Sequence, residues 1–294
     1  MKKIAKAIFH LLPKLWQQYI LFVRFVHYWP NFRNPETFNE KVHFRKLYWK
    51  NSLMVKCSNK ITAKEYAREK LGDEYIIENY FTGDSINSEI IKRIIKKKGG
   101  IVLKASHNSG PVFLLDERDS DEQINEAVKS IMTQIKDNYG LSQQETWYSE
   151  SPAQVLIEKR LYPEAGESSL TDYKFHVFNQ GRNEKPIIIV QINFDLFGNP
   201  NQSFFDEHLN YLPFSNNYPS IVTKVEYFEA YPIMLAAAKK LSEPFTYVRC
   251  DLYHHEDQIY FGEMTFANES GRGRFTDKMY DLWMGKLWKG DPRY

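Results

Sequence analysis

Cysteine is nearly absent. Cys57 and Cys250 are the two thiols in 294 residues, and neither has a CxxC partner. That excludes a disulfide scaffold and a sulfur-rich metal site or cluster, leaves at most one bridge between the two, and fits a reducing cytoplasm. Excess charge is also lacking. Lys and Arg number 39 against 37 Asp and Glu, a formal net charge of +2, and no finger, zipper or repeated basic motif appears. Bulk nucleic-acid binding is therefore not expected. There is no GxGxxG between a strand and a helix and no Walker A loop, so any ATP site must use another arrangement. Ser109 lies in NSGP rather than GxSxG, which leaves no hydrolase elbow. His254 and His255 are adjacent in a polar turn and give a zinc centre little support. Charges and Pro13 interrupt every long apolar run, so no segment reads as a membrane span.

Aromatic residues are abundant, with 19 Tyr, 20 Phe and 6 Trp. Rings at this density build a core from few residues or line a groove. Residues 1–29 are basic and aromatic, carrying Lys2, Lys3, Lys6, Lys14 and Arg24 with no acid. They resemble the start of a secretory signal, but Pro13, Lys14, Gln17 and Gln18 break the apolar stretch and no small-residue cleavage site follows. Two readings stay open: a helix packed on the body, and an amphipathic helix lying on an anionic inner leaflet.

Thr37 caps a predicted helix from Phe38, with Glu40 as its capping-box partner. A second helix runs from Lys60 to Leu71 and stops at Gly72. Tyr75–Ile77 reads as a short strand and Ser88–Lys98 as a basic helix with an isoleucine stripe. Ile101–Lys104 is an apolar strand leading into a small-residue loop, Ala105–Gly110. Val112–Leu115 is a strand, Asp121–Tyr139 a long helix, 140–153 a loop and Val155–Glu158 a strand. Leu161–Leu170 reads as a linker. Strands follow at Asp172–Phe178 and Pro186–Ile192, then a turn-rich stretch, Leu196–Asn217. A helix is expected from about Tyr227 to Leu241, started late or kinked by Pro232. Thr246–Tyr253 and Gln258–Met264 form a hairpin, and Asp277–Leu287 is the last helix. This order predicts an α+β fold with four regions: 1–33, 34–98, 99–158 and 159–294.

Asp251 and Glu263 are the sharpest chemical pair. A hairpin sets them on neighbouring strands, where two carboxylates repel unless a cation joins them, and Mg²⁺ favours such oxygens together with phosphates. Arg249, two residues earlier, shares a face with Asp251 and suits a phosphate or acyl phosphate. Lys104 ends an apolar strand before a loop whose N–H groups suit phosphate, with His107, Asn108, Ser109 and Gly110 inside it. Glu158 ends another apolar strand where a nucleoside contact fits, and Asp172 and Lys174 alternate onto one strand face. Taken alone, each of these also admits a plain reading as a strand-end charge or a surface ion pair.

Taken in order, NPETFNEK, NKITAKEYAREKLG, VLKASHNSG, VLIEKRL, DYKFHVFN, VRCDLY and IYFGEMTF, followed by Gly271, resemble the ATP-grasp family typified by the teichuronopeptide biosynthesis protein. Members are encoded among bacterial surface-polysaccharide genes. The resemblance covers about Asn34 to Leu287 and implies two α+β lobes clasping ATP. It implies an ATP- and Mg²⁺-dependent ligase that activates a carboxylate as an acyl phosphate for attack by an amine. The substrates it implies are an amino acid and a sugar acid or amino sugar of a surface glycan. By the same resemblance Lys104 and Lys174 contact the nucleotide phosphates, His107–Gly110 forms a lid and Glu158 meets the purine. Arg249 neutralises the transferred phosphoryl group, and Asp251 and Glu263 hold Mg²⁺. Thr265 stands where many members have an asparagine metal ligand, Asn59 where this group tends to have Asp, and Pro111 stiffens the loop. A glycosyltransferase and a polysaccharide kinase are the competing functions.

Overall fold

The computed structural model describes residues 9, 11–163, 169–194, 196 and 198–294. Its elements alternate helical and β segments in an α+β arrangement. Helices α1 (Lys14–Val26), α2 (Phe38–Tyr48), α3 (Leu53–Ser58) and α4 (Lys60–Leu71) come first. Then follow β1 (Asn79–Gly83), α5 (Ser88–Lys98), β2 (Ile101–Ala105), β3 (Phe113–Leu115), α6 (Asp121–Lys136), α7 (Tyr139–Gln143) and β4 (Val155–Lys159). The second half holds β5 (Asp172–Phe178), β6 (Ile187–Phe194), β7 (Asn201–Asp206), β8 (Tyr211–Leu212), α8 (Tyr231–Ser242), β9 (Tyr247–His255), β10 (Gln258–Thr265) and α9 (Lys278–Leu287).

Two antiparallel sheets result, ordered β1-β4-β2-β3 and β10-β9-β5-β6-β7-β8. The first is covered by α5 and α6, whose Ile91, Ile95, Ile124 and Ile131 pack on Ile101, Leu103 and Ile157. The second shares the larger core with α2, α3, α4, α8 and α9, through residues such as Phe38, Tyr66, Met234, Met284 and Phe175. The amino-terminal helices thus brace the second sheet, although β5 lies more than a hundred residues downstream. Cys57 and Cys250 are buried in that core as free thiols.

Local chemistry explains most boundaries. Thr37 and Glu40 form the expected capping box of α2. Asn59 caps α4 by accepting from the Ile61 N–H at 3.0 Å, and its amide also donates to Pro152 O at 2.9 Å. An aspartate carboxylate has no proton for that second bond. Several boundaries differ from expectation. Tyr75–Ile77 is not a strand: Asp73–Tyr75 is a 3₁₀ turn, and the strand comes later as β1, so the first sheet begins before residue 99. The long helix stops at Lys136, because Asn138 turns its side chain to the Leu141 N–H and starts α7. Residues 140–153 hold the rest of α7 and a 3₁₀ turn, Thr146–Glu150. Helix α8 starts four residues late, with Pro232 in its first turn, where a missing N–H costs nothing. Of the linker, 164–168 lie outside the described residues.

The last helix is fitted to α2 at one point. A Cβ on Gly285 would lie 2.2 Å from Glu36 O and 2.5 Å from Thr37 C, both backbone atoms. Gly285→Ala is expected to cost roughly 1–3 kcal/mol, the usual range for overpacking. A denaturant midpoint equal to wild type would show that the two helices separate freely.

Candidate active site

The second sheet brings its charged residues together by register. Lys174 on β5 pairs with Asp251 on β9, which pairs with Glu263 on β10, so the three form one row across three strands. The last pairing depends on a bulge at Gly262. From Gln258↔His255 to Phe261↔Leu252 the register is regular, and continued unbroken it would set Glu263 opposite Cys250, a core residue. The extra residue moves Glu263 opposite Asp251 instead and turns its carboxylate to the other face.

Arg249 grips this row. Its Nε donates to Asp251 Oδ1 at 2.7 Å and its Nη2 to Asp251 Oδ2 at 2.7 Å, a bidentate pair. Nη2 also reaches Glu263 Oε1 at 3.2 Å, and Nη1 donates to Asn268 Oδ1 at 2.6 Å. Lys174 Nζ bridges Asp251 Oδ2 at 2.7 Å and Asp172 Oδ2 at 2.5 Å. Burial opposes ionisation of Asp251, but Arg249 and Lys174 outweigh it and hold its pKa below the usual carboxylate range. Burial likewise opposes the charges on Arg249 and Lys174, and their carboxylate partners raise both pKa values despite it. Asp172 differs. Burial raises its pKa beyond what Lys174 restores, and its Oδ1 is buried with no hydrogen-bond partner among the described residues.

The first sheet supplies the facing wall. Lys104 on β2 ion-pairs with Glu158 on β4, and Lys64 from α4 holds the other Glu158 oxygen at 2.6 Å. Burial works against the Glu158 charge, yet the two lysines depress its pKa. Both carboxylate oxygens are therefore engaged, and the chain that follows, Lys159–Leu161 and Pro163, lines the cavity beside it. Lys60 begins α4 and donates to the Asn108 carbonyl. Burial, with Lys104 adding to it and Glu263 opposing, brings its pKa down to about 8.

These two walls enclose a cleft of about 380 Å³. Lys104, Ser109, Gly110, Glu158, Asp172, Lys174, Asp251 and Glu263 all line it. Arg249, His107 and Asn108 are not among the lining residues. Arg249 lies behind the carboxylates, 6% exposed. His107 is buried with Nε2 3.1 Å from Asp137 O, and Asn108 donates to Gln134 Oε1 at 2.8 Å. The expected lid is thus anchored to the end of α6 at its first two positions, and only Ser109 and Gly110 face the cleft. Lys60 and Tyr253 line the cleft without being among the expected site residues, and Lys64 supports Glu158 from outside that lining. The lysines sit in an ordinary polar helix, and nothing local marks either of them for the site.

Asp251 and Glu263 suit a hard cation. The Glu263 side chain is 35% exposed, and both carboxylates line the cleft. Among the described residues no three His, Cys, Asp or Glu side chains form a metal cluster. An ion held by two carboxylates and otherwise by phosphate and water matches Mg²⁺ rather than zinc or a caged calcium. Thr265 Oγ1 donates to Glu263 Oε1 at 3.0 Å, which orients that carboxylate.

A family model described as TupA-like ATPgrasp matches residues 40–289. No curated protein matches. Among solved structures, D-alanine-D-alanine ligase from Helicobacter pylori is 18% identical at a TM-score of 0.42, with 71% of this chain and 54% of that chain covered. D-alanyl-alanine synthetase A from Vibrio cholerae is 17% identical at 0.42, over 71% and 55%. The ATP-grasp ligase PsnB, complexed with a phosphomimetic precursor variant, Mg and ADP, is 11% identical at 0.40, over 80% and 58%. The chain spans a little over half the length of these proteins.

Proposed function

Because the chain belongs to the TupA-like ATP-grasp family, we propose that it is an ATP- and Mg²⁺-dependent carboxylate–amine ligase of bacterial surface-polysaccharide biosynthesis. It joins an amino acid to a sugar acid or amino sugar. The observation that carries this reading is the cleft itself. Lysines of the first wall, Lys60 and Lys104, face the Asp251–Glu263 pair of the second across a space lined by both. Cations on one side and metal-type oxygens on the other suit a polyphosphate. Val102, Leu114, Leu161 and Phe261 give the same cleft apolar walls for a flat base.

In the proposed reaction a substrate carboxylate oxygen attacks the γ-phosphorus of ATP. The β–γ bridging P–O bond breaks and ADP leaves, giving an acyl phosphate. An amine nitrogen then attacks the carbonyl carbon, phosphate departs with the C–O bond electrons, and the nitrogen loses a proton. Lys104, Lys60 and Lys174 bind and neutralise phosphate oxygens, and the Ser109–Gly110 backbone shields them from water. Asp251 and Glu263 hold the metal, whose chemistry here is to draw charge from the phosphate oxygens. Arg249 keeps both carboxylates in place from behind, and Glu158 fixes Lys104. No protein nucleophile is required.

The test is product analysis with purified protein, ATP, Mg²⁺ and panels of amino acids and sugar acids or amino sugars. The expected result is ADP and phosphate in equal amounts with a new amide. ADP with a phosphorylated glycan would establish a kinase instead. Consumption of a sugar nucleotide in place of ATP would establish a glycosyltransferase.

A further inference from the structure

Helix α1 is amphipathic the wrong way round for a helix that merely packs on a protein. Its glutamines face inward: Gln17 is 7% exposed and Gln18 only 1%. Gln17 Nε2 donates to Leu12 O at 2.7 Å, and both side chains bond to Gln144, with Gln18 also meeting His43. Phe22 and Val26 are the helix's fully buried apolar residues, packed with Phe32 and the partly buried Tyr19. The outward row is apolar. Trp16 is 53% exposed, Ile20 44% and Val23 37%, and Leu11 and Trp29 beyond the helix ends are more exposed still. Positions 16, 20 and 23 stand at helical spacing on one face.

The rings are arranged as well as exposed. Tyr19 lies between Trp16, 5.8 Å away, and Trp29, stacked at 5.3 Å. Tryptophan and tyrosine grouped at one level are the side chains that favour the headgroup region of a bilayer. Charge complements this. Exposed Lys14 and Arg24 flank the apolar row. The sequence adds Lys2, Lys3, Lys6 and Arg33, and the first acid is Glu36. Among the described residues no helix is long and apolar enough to cross a membrane. At 13 residues, α1 is suited to lying in the interface instead.

We propose that the outward face of α1, with Trp29 and the flanking basic residues, docks this protein on an anionic lipid bilayer. The same helix is tied to two later segments of the chain. Gln144 follows α7, Arg272 from the loop after Glu263 lies 5.4 Å from the Phe25 ring, and Arg272 also donates to Gln143 Oε1 at 3.0 Å. Docking would therefore hold that loop beside the lipid surface, where a membrane-borne acceptor would be presented. The docking face is independent of the ligase assignment and stands or falls separately from it.

The experiment is co-flotation of the full chain with vesicles of pure phosphatidylcholine and with vesicles containing about one-third phosphatidylglycerol. Basic residues near an anionic surface contribute additively, so roughly tenfold or greater preference for the anionic vesicles is expected, falling as salt rises. The triple variant W16Q/I20Q/V23Q changes only exposed side chains. It is expected to lose binding by about tenfold or more with an unchanged melting temperature. The pair K14Q/R24Q is expected to weaken the preference for anionic lipid, by several-fold or more. Equal flotation of wild type and triple variant, or no flotation of wild type, overturns the proposal. So does a wild-type dimer in sedimentation that the triple variant dissociates without any vesicle uptake, because a second copy then covers the face.

Discussion

Asp251→Asn and Glu263→Gln are expected to stop turnover by the same order, about 10²–10³-fold or more, while differing sharply in stability. The shared loss follows from the proposed site: each substitution removes one of two anionic oxygen donors for the metal, and a charge-stabilising group at a phosphoryl centre is worth that much. The difference follows from burial. Asp251 is 2% exposed and receives two bonds from Arg249 and one from Lys174. Neutralising it leaves two buried cations short of their counter-ion, which costs roughly 3–5 kcal/mol. Glu263 is one-third exposed and touches Arg249 only at 3.2 Å, so its amide is expected to cost about 1 kcal/mol or less. Urea midpoints with ATP turnover at saturating Mg²⁺ separate the two effects. Wild-type ATP consumption by Glu263→Gln, with the true acceptor present, would remove Glu263 from the metal site.

Much of the second sheet was legible because its signals are local. The apolar alternation of YVRCDLY and IYFGEMTF sets a hairpin, and a hairpin sets neighbours. What a hairpin alone does not give is the face. Glu263 points into the cleft because of the bulge at Gly262, and a regular register would have buried it against Cys250's side of the sheet. The glycine was visible in the sequence, but a strand glycine marks a bulge only once the partner's register is known.

Less of the first wall was readable. Lys60 and Lys64 come from a helix whose polar residues look like any solvated face, and only the packing of α4 between the two sheets brings them to Glu158 and Asn108. β1 was missed for a related reason: NYFTG is an edge strand with little burial, so it carries no strong period-two pattern. His107 shows the opposite case. Its place in a small-residue loop pointed to phosphate, and the fold instead turns its ring to a carbonyl at the end of α6. A donor-rich loop records what its groups are able to bind, while the nearest buried acceptor decides where each one goes.

Glu158→Gln is expected to be the most destabilising single substitution in the first wall, by roughly 3–5 kcal/mol, and to flatten the acid limb of the stability profile. Glu158 is the one anion between Lys104 and Lys64, with its side chain 4% exposed. Lys64 retains Ile77 O at 2.9 Å and Asn79 Oδ1 at 2.5 Å, but among the described residues Lys104 has no such second anchor. The amide therefore leaves two lysines close together with no charge to offset them. The pH dependence follows from the depressed pKa of Glu158. Such a group contributes its full stabilisation above the unfolded glutamate value of about 4.3, and that contribution is lost as pH falls through the lower folded value. Wild type should thus lose stability on acidification over this window, and Glu158→Gln should lose less across the same window from a lower starting point. Urea unfolding from neutral pH down to about pH 3 reads both quantities. Parallel curves for the two proteins would mean that Glu158 carries no net charge-pair stabilisation, and that Lys104 is held in the cleft by the strand alone.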